Sequence, residues 1–283
     1  MSYMGLAALE LVLLGLLAGI AGSLIVFRGR SFFAVALSHA TFPGGVIFAL
    51  AGWNLLIGQA LFAAVLVLLM GLLSRIPRQG GQVSSGIVLA LGFALGALLS
   101  SANPGLGVPV DALLVGSPLG VSGSDVAATA AVLVLSLAAL LVFGRRILFQ
   151  TFDPAGFTAA GFRSGPVELV VVGIIAASVV VAMPAVGAIL GVAILIAPAA
   201  AARLLAPTIA WVPPLAALLG VASGLAGLWA SRAFDIAAGG AIGLAATAVY
   251  VVALGLAALL RKLPAGSASV TARTPAAVIT GGE

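Results

Sequence analysis

The chain has 283 residues, 63% of them hydrophobic and only 7% charged, with a net charge of +5 and no cysteine. A soluble domain carries about a quarter charged residues, so a mean hydropathy of +1.33 leaves this chain unable to cover its own surface in water. The missing cysteines exclude disulfides and thiolate metal sites, and the pI near 11.1 belongs to arginines at span ends, not to a nucleic-acid surface.

Apolar runs of this length predict an all-α, polytopic protein of the lipid bilayer, because only helices of about 20 residues or closed barrels satisfy their backbones in hydrocarbon. The first span, 6–27, is too long for a secretory signal and lacks a small-residue cleavage site, so it is expected to be retained. Glu10 lies in its first turn and is expected to snorkel to the interface. Arg28 and Arg30 close the span.

The second span, 31–52, contains SHATFPGG at 38–45 and with it the only histidine. At 1.5 Å per residue, His39 lies about 12 Å beyond Arg30, near mid-membrane. Pro43 removes the helical donor to the His39 carbonyl and bends the helix. Ser38 and Thr41 add hydroxyls beside it. Two readings stand. His39, Ser38, Thr41 and Pro43 line a translocation path on which the imidazole is a ligand for zinc, manganese or iron, or His39 is a neutral packing residue bonded to a neighbouring helix.

Spans 55–73 and 85–102 follow, separated by Arg75 and Arg78. The loop 103–124 is too apolar for a solvated linker and is expected against the membrane face. After span 125–144, the segment RRILFQTFDPAGFTAAGFRSG carries Asp153-Pro154, an N-cap followed by proline at the first helical position. A short helix is predicted over 154–162, with Phe157 and Phe162 as exposed aromatics suited to a protein contact. Spans 166–182, 185–205, 211–230 and 237–260 complete nine crossings, or eight if 166–205 is one bent element. The permease domain thus covers 1–263, and the Ala/Ser/Thr/Gly-rich tail 264–283 is expected to be disordered.

With the N-terminus outside, eleven of the twelve basic residues fall inside and only Arg232 outside, which the positive-inside rule favours and which puts the C-terminus in the cytoplasm. No acid is expected at mid-depth, which disfavours a proton-coupled carrier. The single Lys262 sits in no phosphate-binding loop, so active transport would need ATP hydrolysed on a separate subunit. Glycine pairs at four-residue spacing, such as Gly15/Gly19 and Gly220/Gly224, fit close helix packing.

Four stretches in order carry a resemblance: ALSHATFPG (36–44), DALLVGSPLGVSGSDV (111–126), FQTFDPAGFTAAGF (149–162) and VGAILGVAILIAPAAAARLL (186–205), with FDIAAGGAIGLAATAVYVVAL (234–254) as the closing helix. They resemble the permease subunits of ATP-driven metal-ion importers, the zinc/manganese/iron branch of ABC transporters. The resemblance spans about 30 to 260. It implies a homodimeric pore in a bacterial cell membrane, two cytoplasmic ATPase subunits, an extracytoplasmic substrate-binding protein, no chemistry on the permease itself and no resident cofactor. It assigns the ATPase-coupling role to Asp153, Pro154, Phe157, Gly161 and Phe162. In the family an aspartate four residues before the histidine completes a metal-binding pair. Here that position is Val35, and the acids often found at the start of the fourth span are replaced by Gln82 and Val83. Three consequences are open. The ion crosses with little pore binding, the substrate is a chelate such as haem or a siderophore, or the pore has degenerated. From another class, a passive channel or secondary carrier remains the rival.

Overall fold

Eight helices are long and apolar enough to cross a membrane in the computed structural model, which describes residues 3–78, 80–103 and 116–262. They are α1 (Tyr3–Phe27), α2 (Ser31–Leu50), α3 (Leu55–Leu73), α4 (Gly80–Ala102), α5 (Gly123–Phe152), α7 (Ser164–Leu205), α8 (Val212–Phe234) and α9 (Ala238–Lys262). A short helix, α6 (Pro154–Ala159), joins α5 to α7. Asp111 and the expected tail lie outside the described residues.

Helix α7 accounts for the eight-or-nine question. Forty-two residues in a straight line would reach about 63 Å, twice the hydrocarbon core. The helix does not run straight: Gly187 has φ 82 and ψ 169, a conformation open essentially to glycine alone. A methyl built on Gly191 would lie 3.3 Å from the Ala182 Cβ, although nine residues of helix measure about 13 Å. Both ends return to the same end of α1. Glu168 pairs with Arg28 there, and Arg203 Nη1 donates to the Val26 carbonyl at 3.4 Å. So α7 folds back into two arms, 164–186 and 188–205, and the described residues cross the bundle nine times. The turn falls three residues after the expected Met183-Pro184 divider.

Burial sorts the helices. The most apolar windows of α1, α2 and α7 are 67–72% buried, whereas those of α3, α4, α5, α8 and α9 are 22–28% buried. The first three form the interior, and the others turn large aliphatic side chains outward, as lipid contact requires. Small residues let backbones meet inside the subunit: Gly44 and Gly58 face each other so closely that a Cβ on either would strike the other's carbonyl. Gly15 meets Val221 and Gly19 meets Ala217 in the same way, so the four-residue glycine spacing serves packing of α1 on α8.

One acid departs from expectation. Glu10 does not reach the interface. The helix starts at Tyr3, and Glu10 is 1% exposed, accepting a hydrogen bond from Thr129 Oγ1 at 2.6 Å. Its partner is on α5, so the carboxyl is held inside the bundle and cannot snorkel.

Candidate functional site

Helix α2 is two helical pieces, Ser31–Ala40 and Phe42–Leu50, broken at Thr41. Pro43 has no N–H to give the His39 carbonyl, and the broken turn is closed by the Gly44 N–H donating to the Thr41 carbonyl at 3.1 Å. Thr41 is fully buried. Its hydroxyl lies 3.2 Å from the Ser38 carbonyl and 3.4 Å from Met183 Sδ on α7. Ser38 is 1% exposed and donates to the Val35 carbonyl at 2.9 Å. These two hydroxyls therefore sit in the packed interior and hold the break, apart from the half-buried position of His39.

The imidazole turns back on its own helix. Nδ1 is 3.0 Å from the Val35 carbonyl and 3.1 Å from Ser38 Oγ. A carbonyl only accepts, so a proton is assigned to Nδ1, which in the neutral imidazole leaves Nε2 its lone pair. That is the tautomer a metal ligand requires, with the second nitrogen oriented by a backbone carbonyl. Val35 offers the imidazole only its carbonyl. Among the described residues no group of three or more His, Cys, Asp or Glu could hold a metal ion.

The basic end of α1 and α2 is richer in polar contacts than the sequence suggested. Arg28 Nη1 donates to Glu168 Oε2 at 2.7 Å, Nε to Thr151 Oγ1 at 3.0 Å and Nη2 to Gln150 Oε1 at 3.1 Å. Arg30 donates to the other Glu168 oxygen. Burial pulls the Arg28 pKa below its ordinary value, with Glu168 opposing that pull. These residues border an open cleft of about 750 Å³ that also holds Arg75, Ser74 and Gln82.

The α5–α7 connection supplies the third element. Asp153 caps α6, its Oδ1 accepting from the Gly156 N–H at 2.8 Å, with Pro154 in the first turn. The helix stops at Ala159, and Gly161 takes φ 80 to turn the chain. Phe162 is 43% exposed, but Phe157 is fully buried, which corrects its expected exposure. The reason is the length of α5. Its thirty residues run past Arg145 and Arg146 and present Phe149, against which Phe157 packs edge-on at 5.5 Å while stacking on Phe162 at 5.1 Å. Arg146 lies 5.7 Å from the Phe162 ring. The outward aromatic of this connection is thus Phe162, seated on Phe157.

Sequence reasoning did not link Arg28 to Glu168, or Glu10 to Thr129, since 140 and 119 positions separate them. The one available signal was that Glu168 is one of two acids, with Asp153, among the basic span ends.

The profile of the ABC 3 transport family matches residues 1–257. The manganese transport system membrane protein MntC of Halalkalibacterium halodurans is 32% identical over 252 residues, covering 89% of this chain and 86% of the relative. The zinc transport system membrane protein TroC of Treponema pallidum is 34% identical over 223 residues, covering 76% and 75%. PsaBC from Streptococcus pneumoniae, solved in complex with Fab, superposes with a TM-score of 0.81 at 26% identity, covering 93% of this chain and 95% of that one. A metal-chelate type ABC transporter in an inward-facing conformation shares the fold, with a TM-score of 0.63 at 18% identity.

Proposed function

The chain belongs to the ABC 3 transport family and is the membrane permease of a manganese/zinc-type ABC import system, and we propose that it passes a divalent transition-metal ion inward by way of His39. Family membership removes the rival reading of a passive channel or secondary carrier.

The observation that carries the proposal is the state of His39. It is the sole imidazole, half-buried at a helix break, with Nδ1 engaged by the Val35 carbonyl and Nε2 left as a ligand. One imidazole is a weak site, since metals take three or more ligands. A homodimer would bring a second His39 across a twofold axis, and waters or carbonyls would complete the shell. Weak coordination suits passage, because an ion must leave as readily as it enters.

The orientation follows from charge. Arg28, Arg30, Arg75 and Arg203 gather at one end of the bundle, and the positive-inside rule makes that end cytoplasmic. The N-terminus is then outside and the C-terminus inside. On this reading α6 seats on a cytoplasmic ATPase through Phe162 and the Asp153-Pro154 cap, with Phe157 and Gly161 shaping the connection. The outer loops receive an extracytoplasmic binding protein. Pro43 is the residue that opens the helix at the path.

The test is uptake of radiolabelled manganese, zinc and iron by cells expressing the permease with its ATPase and binding protein. Wild type is expected to accumulate one of the three, and His39→Ala to lose most of that uptake while the protein still reaches the membrane. Normal uptake in His39→Ala would make the residue packing. ATP hydrolysis without accumulation of any free ion would point to a chelate.

A further inference from the structure

We propose that the Arg28–Glu168–Arg30 cluster is a rigid link that carries movement of α6 into α2, and so couples ATP use to the helix that bears His39. The inference rests on the reading of α6 as the ATPase-docking helix.

Helix α6 is suspended between two attachments, the end of α5 before it and the start of α7 after it. One side chain holds both. Arg28 donates to Ile147, Gln150 and Thr151 on α5 and to Glu168 on α7. A direct tie runs alongside, with Gln150 Nε2 donating to the Ser164 carbonyl at 3.2 Å. The planar fork of a guanidinium suits this work, because its donors are fixed relative to one another and every nitrogen of Arg28 is engaged. The Arg28 side chain is 9% exposed, so withdrawing it would leave a set of part-buried acceptors without their donor.

The other half of the link reaches α2. Glu168 uses its second oxygen for Arg30, and Arg30 is the N-cap of α2, its carbonyl accepting from the Ala34 N–H at 3.1 Å. Displacing α6 must therefore drag the first turn of α2 along or break charge-assisted hydrogen bonds, the strongest class in a protein. Below the Thr41 break α2 is one uninterrupted piece, so motion of its first turn reaches His39.

The experiment uses the complete transporter, permease with ATPase and binding protein, in liposomes. It measures metal ion imported per ATP hydrolysed, with whichever of manganese, zinc or iron wild type takes up, a ratio that a merely structural residue would leave alone. Glu168→Gln keeps the shape and removes the charge. Hydrolysis is expected to continue while the ratio falls about tenfold, the scale of one lost charge-assisted hydrogen bond. A second variant guards against misfolding. The chain has no cysteine, so Arg30→Cys with Glu168→Cys creates a unique thiol pair. Reduced, the pair should import poorly, and a short bifunctional thiol reagent should restore the ratio towards wild type in the same polypeptide. An unchanged ratio in Glu168→Gln, or a cross-linked pair that imports no better than the reduced one, overturns the link. Wild type that imports none of manganese, zinc or iron on ATP would overturn the parent reading, and the link with it.

Discussion

The Arg28 cluster and His39 stand at two depths beside the same helix and are built on opposite terms. At the boundary, Arg28 and Arg30 enclose one carboxylate, and Arg28 has partners on both α5 and α7. Midway along α2 the imidazole bonds within its own helix, through Val35 and Ser38, and among the described residues no group of three or more His, Cys, Asp or Glu could hold a metal ion. The boundary site is made to hold, and on the proposed reading of His39 the other site is made to exchange. A group locked by several partners cannot accept a passing ion. A group fixed on one nitrogen by its own helix can, and can also let go.

Removing the boundary anchor should have the largest effect. Arg28→Ala strands Glu168 against Arg30 alone and leaves Gln150 and Thr151 without their donor. Breaking a well-buried pair costs about 3–5 kcal/mol, and the one-third exposure of Glu168 reduces this to about 2–3 kcal/mol. Thermal unfolding in detergent should show a midpoint lower by about 5 °C or more. A midpoint within a degree of wild type would mean that the cluster holds nothing. His39→Ala, by contrast, should barely move that midpoint, since it removes contacts within one helix.

Installing the absent acid comes next. Val35→Asp places a carboxylate one turn before His39 on the same face. A half-shell of imidazole and carboxylate should bind manganese about tenfold more tightly, read as a lower half-saturating concentration in uptake. Maximal uptake should fall at the same time, because release slows. Unchanged half-saturation would place the ion's route away from this face.

Much of the architecture was readable because the bilayer imposes it. Hydropathy located the eight long apolar helices of the described residues but left the fold-back of α7 open, and Asp153-Pro154 located α6 through the chemistry of helix starts. Individual placements failed where they depended on a distant partner. Phe157 looked exposed because a hydropathy window ends α5 at Arg145, whereas the helix continues to Phe152 and offers Phe149 as a lid. Glu10 looked interfacial because its depth was counted from Leu6, while the helix begins at Tyr3 and Thr129 waits on α5. At the candidate site, the break and the lone histidine were legible from Pro43 and composition. The direction of each hydroxyl was not, since Thr41 is buried against Met183 of α7, 142 positions away, and Ser38 turns onto the Val35 carbonyl of its own helix.

That last point gives the smallest expected effect. Ser38 and His39 both approach the Val35 carbonyl, which has two lone pairs and can accept from both. Ser38→Ala removes one donor and leaves the other. Nδ1–H then shares the carbonyl only with the helix's own backbone donor, the tautomer is kept, and Nε2 stays available as a ligand. The lost hydroxyl leaves no buried group unpaired, so stability should change by no more than about 0.5 kcal/mol. Metal uptake should stay within about twofold of wild type, because a 1%-exposed hydroxyl bonded to its own helix contributes nothing to the ion. A loss as deep as that of His39→Ala would show that α2 rotates during transport far enough to bring Ser38 onto the path, and the two sites would then be less separate than their static partners make them.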